Sequence, residues 1–142
     1  MLQVFRVEHK HSRVGPFQTN HEFTQNLARR ASICHHLKHP GDDGLGLGDI
    51  PWCYVFGSPD LESLKRWVLL GDGITENERI VQQLDALGFV LAEYLVESDR
   101  YLMGASGNQL AFDARESREE ALVEYHQLAE LLKPSPRVFD MH

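Results

Sequence analysis

Residues able to do chemistry gather in a few short stretches of the chain. One is Cys34-His35-His36-Leu37-Lys38-His39, with Asp42 and Asp43 close behind. On a continuing helix, His35 and His39 stand one turn apart and can share a metal ion, with Asp42 or Asp43 adding an oxygen ligand from the loop. Pro40-Gly41 ends the helix nearby, which leaves a plainer alternative: solvated histidines at the negative end of the helix dipole. Another stretch is Arg6, Glu8 and His9 on an opening strand. Arg6 there can grip an anionic ligand through two parallel hydrogen bonds. The alternative is a solvent-facing row with Arg6 and Glu8 on one side of the strand.

Negative evidence narrows the chemistry. Residues 41–49, GDDGLGLGD, form a loop that could offer backbone amides to a phosphate. The loop lacks the Lys and Ser/Thr of a Walker loop, and it precedes a strand where the dinucleotide fingerprint follows one. Its three aspartates repel phosphate, and the D-x-D spacing of a calcium loop is missing. A mobile connection or a partner-binding loop is the better reading. No Gly-x-Ser-x-Gly elbow occurs. Cys34 has histidines beside it in sequence, which does not make a nucleophile pair. The expected site is one of binding, with Arg6, His9, Asp42 and Asp43 as candidates, His35 and His39 as metal ligands and no catalytic residue assigned.

The elements that position these residues are organised around Trp52–Leu70, WCYVFGSPDLESLKRWVLL. Trp52, Tyr54, Val55 and Phe56 favour a packed strand, expected to be central and to hold Cys53 as an inert thiol. Ser58 is placed to cap the next helix, with Pro59 at its first position and Asp60 and Glu62 at the positive end of its dipole. Leu61, Leu64 and Val68 recur at helical spacing. Leu2–His9 reads as a first strand. Thr19 with Glu22 predicts a capping box and a helix to about Leu37. Thr75 with Glu78 predicts another, ending at Gly88. Phe89–Glu97 is apolar on most of both faces, as an interior strand is. Arg100–Met103 and Gln109–Asp113 flank ASGN as a hairpin. Asp113 with Glu116 caps a last helix with Leu122, Tyr125, Ala129 and Leu132 on its apolar face. The order predicts a single α+β domain over residues 1–133, with a mixed or antiparallel sheet of about four or five strands under packed helices. Residues 134–142 are expected to fray.

Charge is divided along the chain. Residues 1–40 hold six Lys/Arg and two acids, for +4, and the remainder carries −11 of the total −7. An acidic body disfavours direct nucleic-acid binding, and a divided one suits a macromolecular partner with a basic surface. Docking of the basic segment on the chain's own acidic half is the alternative. No stretch approaches the roughly 18 apolar residues of a membrane span, and the N-terminus lacks a signal-peptide pattern, so a cytoplasmic location is expected. The two cysteines are expected as buried free thiols in a reducing compartment.

FRVEHKHSRVGPF, HPGDD, YVFGSPDLESLKRWV, LDALGFVLAEYLV and QLAFD together resemble a family of small phage and prophage proteins, over about residues 4–113. The resemblance implies a phage or mobile-element protein acting inside a bacterium against a host factor or defence system, and it carries over no catalytic residue. A fainter likeness is to small ADP-ribosyltransferase folds, with Arg6 and Ser58 in the places of their first-strand and helix-start residues. That likeness implies NAD as cofactor, its pyrophosphate held by Arg6. The glutamate such enzymes need on a late strand would fall near Gln109, with Glu93 and Glu97 as distant substitutes. The leading expectation is an interaction protein without a cofactor that binds and inhibits a bacterial protein, such as a member of a nucleic-acid-handling complex. An NAD-using transferase is the alternative, and a metal-dependent hydrolase the third reading.

Overall fold

The structure, a computed structural model, describes residues 2–34, 37–46, 48–51, 53–114 and 123–133. Strand β1 (Leu2–His9) pairs antiparallel with β3 (Phe89–Val96) along its whole length, from Leu2 opposite Val96 to His9 opposite Phe89. β6 (Val123–His126) completes this sheet on the far side of β3, in the order β1-β3-β6. A smaller antiparallel sheet runs β2-β5-β4, from Val55–Gly57, Leu110–Phe112 and Tyr101–Met103. The helices described over their whole length are α1 (Glu22–Ser32), α2 (Leu61–Val68) and α3 (Ile74–Ala86). This is the expected α+β class, with the strands in two antiparallel sheets.

Backbone hydrogen bonds join the sheets at one point. Phe5 and Ser58 exchange both backbone hydrogen bonds, each 2.8 Å, so the edge of β1 is stitched to the end of β2. The meeting requires a residue without a side chain beside it. A Cβ on Gly57 would lie 2.5 Å from Val4 Cγ1 and 3.0 Å from the Phe112 ring.

Period-two alternation sends the two faces of β1 and β3 into different cores. Val4, Ala92, Tyr94 and Val96 pack on Leu110 and Phe112 of the smaller sheet and on Ala114 just beyond it. Val7, Phe89 and Leu91 pack on the helices, against Leu27, Leu64, Val68, Ile80, Val81 and Leu84, with Leu128 and Leu131 closing the cluster. β3 is thus the interior strand its two-faced apolar pattern predicts.

Several local expectations change. β2 is an edge strand of three residues, and Cys53 lies in the turn before it, half-buried like Cys34. Ser58 does not cap α2, because its backbone is committed to β1. Asp60 caps instead, accepting from Ser63 N at 2.7 Å. α1 is capped by His21 Nδ1 rather than by Thr19, whose hydroxyl donates to the Pro16 carbonyl. α1 also stops at Ser32, short of Leu37, leaving Ile33 exposed. α3 begins after Gly73 without a side-chain cap, and Glu76 reaches back to Asp72 N in place of the expected Thr75–Glu78 box. Of the expected last helix, Ala114 is helical, and the described residues from Val123 onward are strand β6 and a 3-10 turn at Leu128–Leu132. Leu128 and Leu131 are three apart, which on a 3-10 turn puts both into the core. Trp52, Glu116, Leu122 and residues 134–142 lie outside the described residues. No helix among the described residues is long and apolar enough to cross a membrane.

Candidate functional site

A cavity of about 370 Å³ opens at the junction of the two sheets. Its walls come from the edge of β1, the 3-10 turn Pro16–Gln18, α1, the turn at His39–Pro40, β2 and α2. Leu64 and Val68 of α2 and Ala31 of α1 form its apolar floor. Trp67 precedes Val68 on α2, so it falls on the flank of the buried stripe and stays half-exposed. Its ring meets Phe17 at 6.2 Å between centroids, tilted, and His39 at 6.1 Å, edge to face. The mouth is therefore rimmed by rings from three separate segments.

Arg6 holds the walls together. Among its contacts, Nε donates to Glu8 Oε1 at 3.0 Å, Nη1 to the Phe56 carbonyl at 2.8 Å and Nη2 to the Arg13 carbonyl at 3.1 Å. One guanidinium thus ties β1 to β2 and, at Arg13, to the segment that leads into the Phe17 turn. The alternation that puts Arg6 and Glu8 on one face is as expected, but the face is buried, with Glu8 fully enclosed. Glu8 also accepts from the Tyr94 hydroxyl at 2.6 Å and, more weakly, the Tyr125 hydroxyl at 3.4 Å. A buried carboxylate is tolerable only when matched in this way. Arg13 has φ of 65°, a left-handed conformation unfavourable for a residue with a Cβ, and this geometry turns its carbonyl toward Arg6.

Asp43 works from behind the site. It is buried and accepts from Ser106 N at 2.7 Å, Ser106 Oγ at 2.8 Å and Gln109 Nε2 at 3.0 Å. Burial raises its carboxyl's pKa, and these hydrogen bonds together with the charge of Lys38 outweigh that, so the pKa falls below its ordinary value. The loop at 40–43 is thereby anchored on the β4–β5 hairpin. Gln109, on the cavity wall, also donates from Nε2 to the Lys38 carbonyl at 2.6 Å.

The most telling wall residue is Ser58. It is 2% exposed, and its N–H and C=O are both used by Phe5. Among the described residues its hydroxyl has no hydrogen-bond partner, and none donates to the side-chain oxygen of Gln109. No carboxylate lines the cavity among the described residues.

Of the residues singled out in the sequence, Arg6 and Ser58 come together at the cavity, with His39 at its rim and Asp43 behind it. Asp42 is exposed on the turn. His9 lies elsewhere: its ring packs edge-on against Phe89 at 5.6 Å, and its Nδ1 accepts from His11 N and Ser12 N. His35 is outside the described residues. α1 ends at Ser32, so no described helix sets His39 one turn beyond residue 35. Phe17, Trp67 and Gln109 were missed as site residues. Trp67 beside, rather than within, the Leu61-Leu64-Val68 stripe was the available signal.

A second feature lies on the helix-side face of the larger sheet, where β3 meets β6. Glu93 and Glu124 stand directly opposite each other, and His126 Nε2 lies 3.0 Å from Glu93 and 3.9 Å from Glu124. One ligand atom from each falls within 4.8 Å of the others. Gln3 Nε2 donates to Glu93 at 2.6 Å. An open groove of about 650 Å³ adjoins it, lined by acids and by Lys65 and Lys133.

Fold and cavity together define an α+β protein with a ring-rimmed apolar pocket set between two antiparallel sheets. The chain belongs to the family of the Bacteriophage T4 Y00F protein, whose family model matches residues 1–126. It is a phage-type protein. No curated protein and no solved structure matches the chain.

Proposed function

We propose that this phage-family protein works by binding, and that the cavity between Arg6, Ser58 and Trp67 is its binding centre. The observation that carries the reading is the Ser58 hydroxyl, enclosed in the cavity wall with no hydrogen-bond partner among the described residues. A buried hydroxyl left in that state costs free energy that a ligand can recover. The volume falls within the range of small-molecule sites, about 300–1,000 Å³. The rim of rings from α2 and two turns fits a site set by a scaffold and completed by loops. Capture of a small molecule inside a bacterium would serve a phage by withdrawing it from a host or defence protein.

The test is to incubate the purified protein with a bacterial small-molecule extract, wash, denature and identify retained compounds by mass spectrometry. A compound retained by the wild type and lost from Ala28→Phe, which fills the cavity from α1, supports the reading. Equal retention by both proteins, or none by either, contradicts it.

A second reading is favoured by the surface charge. Arg6 and Glu8 pair with each other, so the +4 of residues 1–40 rests on Lys10, Arg13, Arg29, Arg30 and Lys38 against Glu22, nearly all exposed. The acidic half exposes Asp60, Glu62, Asp72, Glu78, Asp85 and Glu97, and Arg30–Glu76 is an ion pair across the division. Such a surface suits inhibition of a bacterial protein partner, for instance one in a nucleic-acid-handling complex. A partner captured from lysate at low salt, released at high salt and lost with Arg29→Glu would support it. Salt-insensitive capture would count against it.

A further inference from the structure

The ligand's chemical class follows from what the walls offer and what they withhold; this step rests on the cavity being the binding centre. We infer that the cavity takes an uncharged planar heterocycle with a hydrogen-bonding edge, of the nucleobase class, stacked at Trp67 and read by Ser58 and Gln109.

Shape comes first. The rim rings of Phe17, Trp67 and His39 and the prolines 16 and 40 present flat or rigid surfaces, and aromatic faces favour stacking with other π-systems. A volume of about 370 Å³ is near the lower end for ligand sites, which suits one small ring system better than an extended chain.

Charge comes next. Arg6 is the wall's permanent cation, and it is matched by Glu8 and donates from Nε, Nη1 and Nη2 to protein acceptors. No carboxylate lines the cavity among the described residues. A phosphate or ammonium group carried inside would leave water without a counter-ion in the wall, and that is costly. The group inside is therefore neutral.

Polarity then separates a heterocycle from a plain hydrocarbon ring. Ser58 offers a hydroxyl that both donates and accepts. Gln109 spends its amide hydrogens on Lys38 and Asp43, so its side-chain oxygen is left as an acceptor. Both side chains are at least nine-tenths buried and both line the cavity. A base edge with a donor beside an acceptor answers this pair, whereas a hydrocarbon ring leaves both unanswered. A net charge of −7 opposes a polynucleotide strand, so the base is a free base or nucleoside.

The experiment is calorimetric titration with adenosine, guanosine, cytidine and uridine, with indole as a ring lacking a paired donor–acceptor edge, and with a single-stranded oligonucleotide. The expected result is saturable binding of at least one nucleoside, weakened about tenfold by Ser58→Ala, the loss of one buried hydrogen bond. The corresponding monophosphate should bind no more tightly, and the oligonucleotide more weakly. Thermal melts establish that Ser58→Ala is folded, and Ala28→Phe, which deletes no wall contact, should abolish the heat by itself. Indole binding tighter than every nucleoside would overturn the ligand class and leave the cavity as a binding centre. Tighter binding of the monophosphate or oligonucleotide would overturn the neutral-ligand argument. No heat from nucleosides or indole would overturn the class and count against the binding centre as well.

Discussion

The cavity at the edge of β1 and the carboxylate cluster between β3 and β6 handle charge in opposite ways. At the cavity, Arg6 and Glu8 are deeply buried and fully matched by protein partners. At the cluster, Glu93 and Glu124 face each other across two strands with only His126 and Gln3 against them, and Glu124 is largely exposed. Water can screen the second arrangement but not the first. The difference teaches that polar groups in the cavity wall are structural obligations. A wall hydroxyl lacking a partner among the described residues is therefore a departure from the local rule, whereas a repelling pair at the surface is ordinary. For that reason the cluster, though its atoms could surround a cation, is weaker evidence of function than Ser58.

The comparison breaks most visibly at Arg6. Arg6→Met removes the match for an enclosed Glu8 and should cost about 3–5 kcal/mol in denaturant unfolding. Arg6→Met with Glu8→Gln should recover part of that loss, since the stranded charge is gone. A loss under about 1 kcal/mol for the single change would contradict an enclosed Arg6–Glu8 pair.

Gly57→Ala comes next. Its methyl group would press on Val4 and Phe112 where the sheets join, and overpacking of this kind costs about 1–3 kcal/mol. The melting temperature should fall, and any ligand affinity should fall with it because Ser58 is the adjacent residue.

Asp43 gives the pH dependence. Its folded pKa is lowered, so its stabilising effect is full above the ordinary carboxylate value of about 3.9 and is lost as pH falls through the lower folded value. Asp43→Asn should therefore be less stable than wild type at neutral pH, and the gap should close in acid. A gap that widened on acidification would reverse the assigned sign.

The smallest effect is expected at the cluster. Glu124→Gln relieves a cross-strand repulsion and should leave stability unchanged or raise it by about 0.2–1 kcal/mol, less at high salt. A clear loss would show that the two carboxylates cooperate, for example around a cation.

Much of the fold was legible in the sequence because its signals are local and mutually consistent. β1, α2, α3, β3 and the β4–β5 hairpin stand where alternation, helical spacing and turn residues put them. What escaped depended on distant partners. Ser58 has every local mark of a cap, yet Phe5, far away in sequence, claims its backbone. VEYH reads as part of a helix until Tyr125 is set opposite Ala92, with its hydroxyl on Glu8. The site was half visible. Arg6 attracts notice by residue type, Ser58 through the likeness to ADP-ribosyltransferase folds, and Asp43 by its loop. Gln109, Phe17 and Trp67 join them only through the docking of the 40–43 turn on the hairpin and of the 16–18 turn on α2. Burial of Arg6 and Glu8 could not be read from alternation, which assigns a common face without saying which face is covered.

The most direct measurement follows Trp67 itself. The chain has two tryptophans, so Trp52→Phe leaves Trp67 as the sole indole reporter. Its emission, followed while the four nucleosides are titrated in turn, should change saturably with at least one of them and lose that response when Ala28→Phe is added. Emission that stays flat with every nucleoside, in a protein shown by its melt to be folded, would contradict a binding centre at the junction of the two sheets that takes a nucleobase.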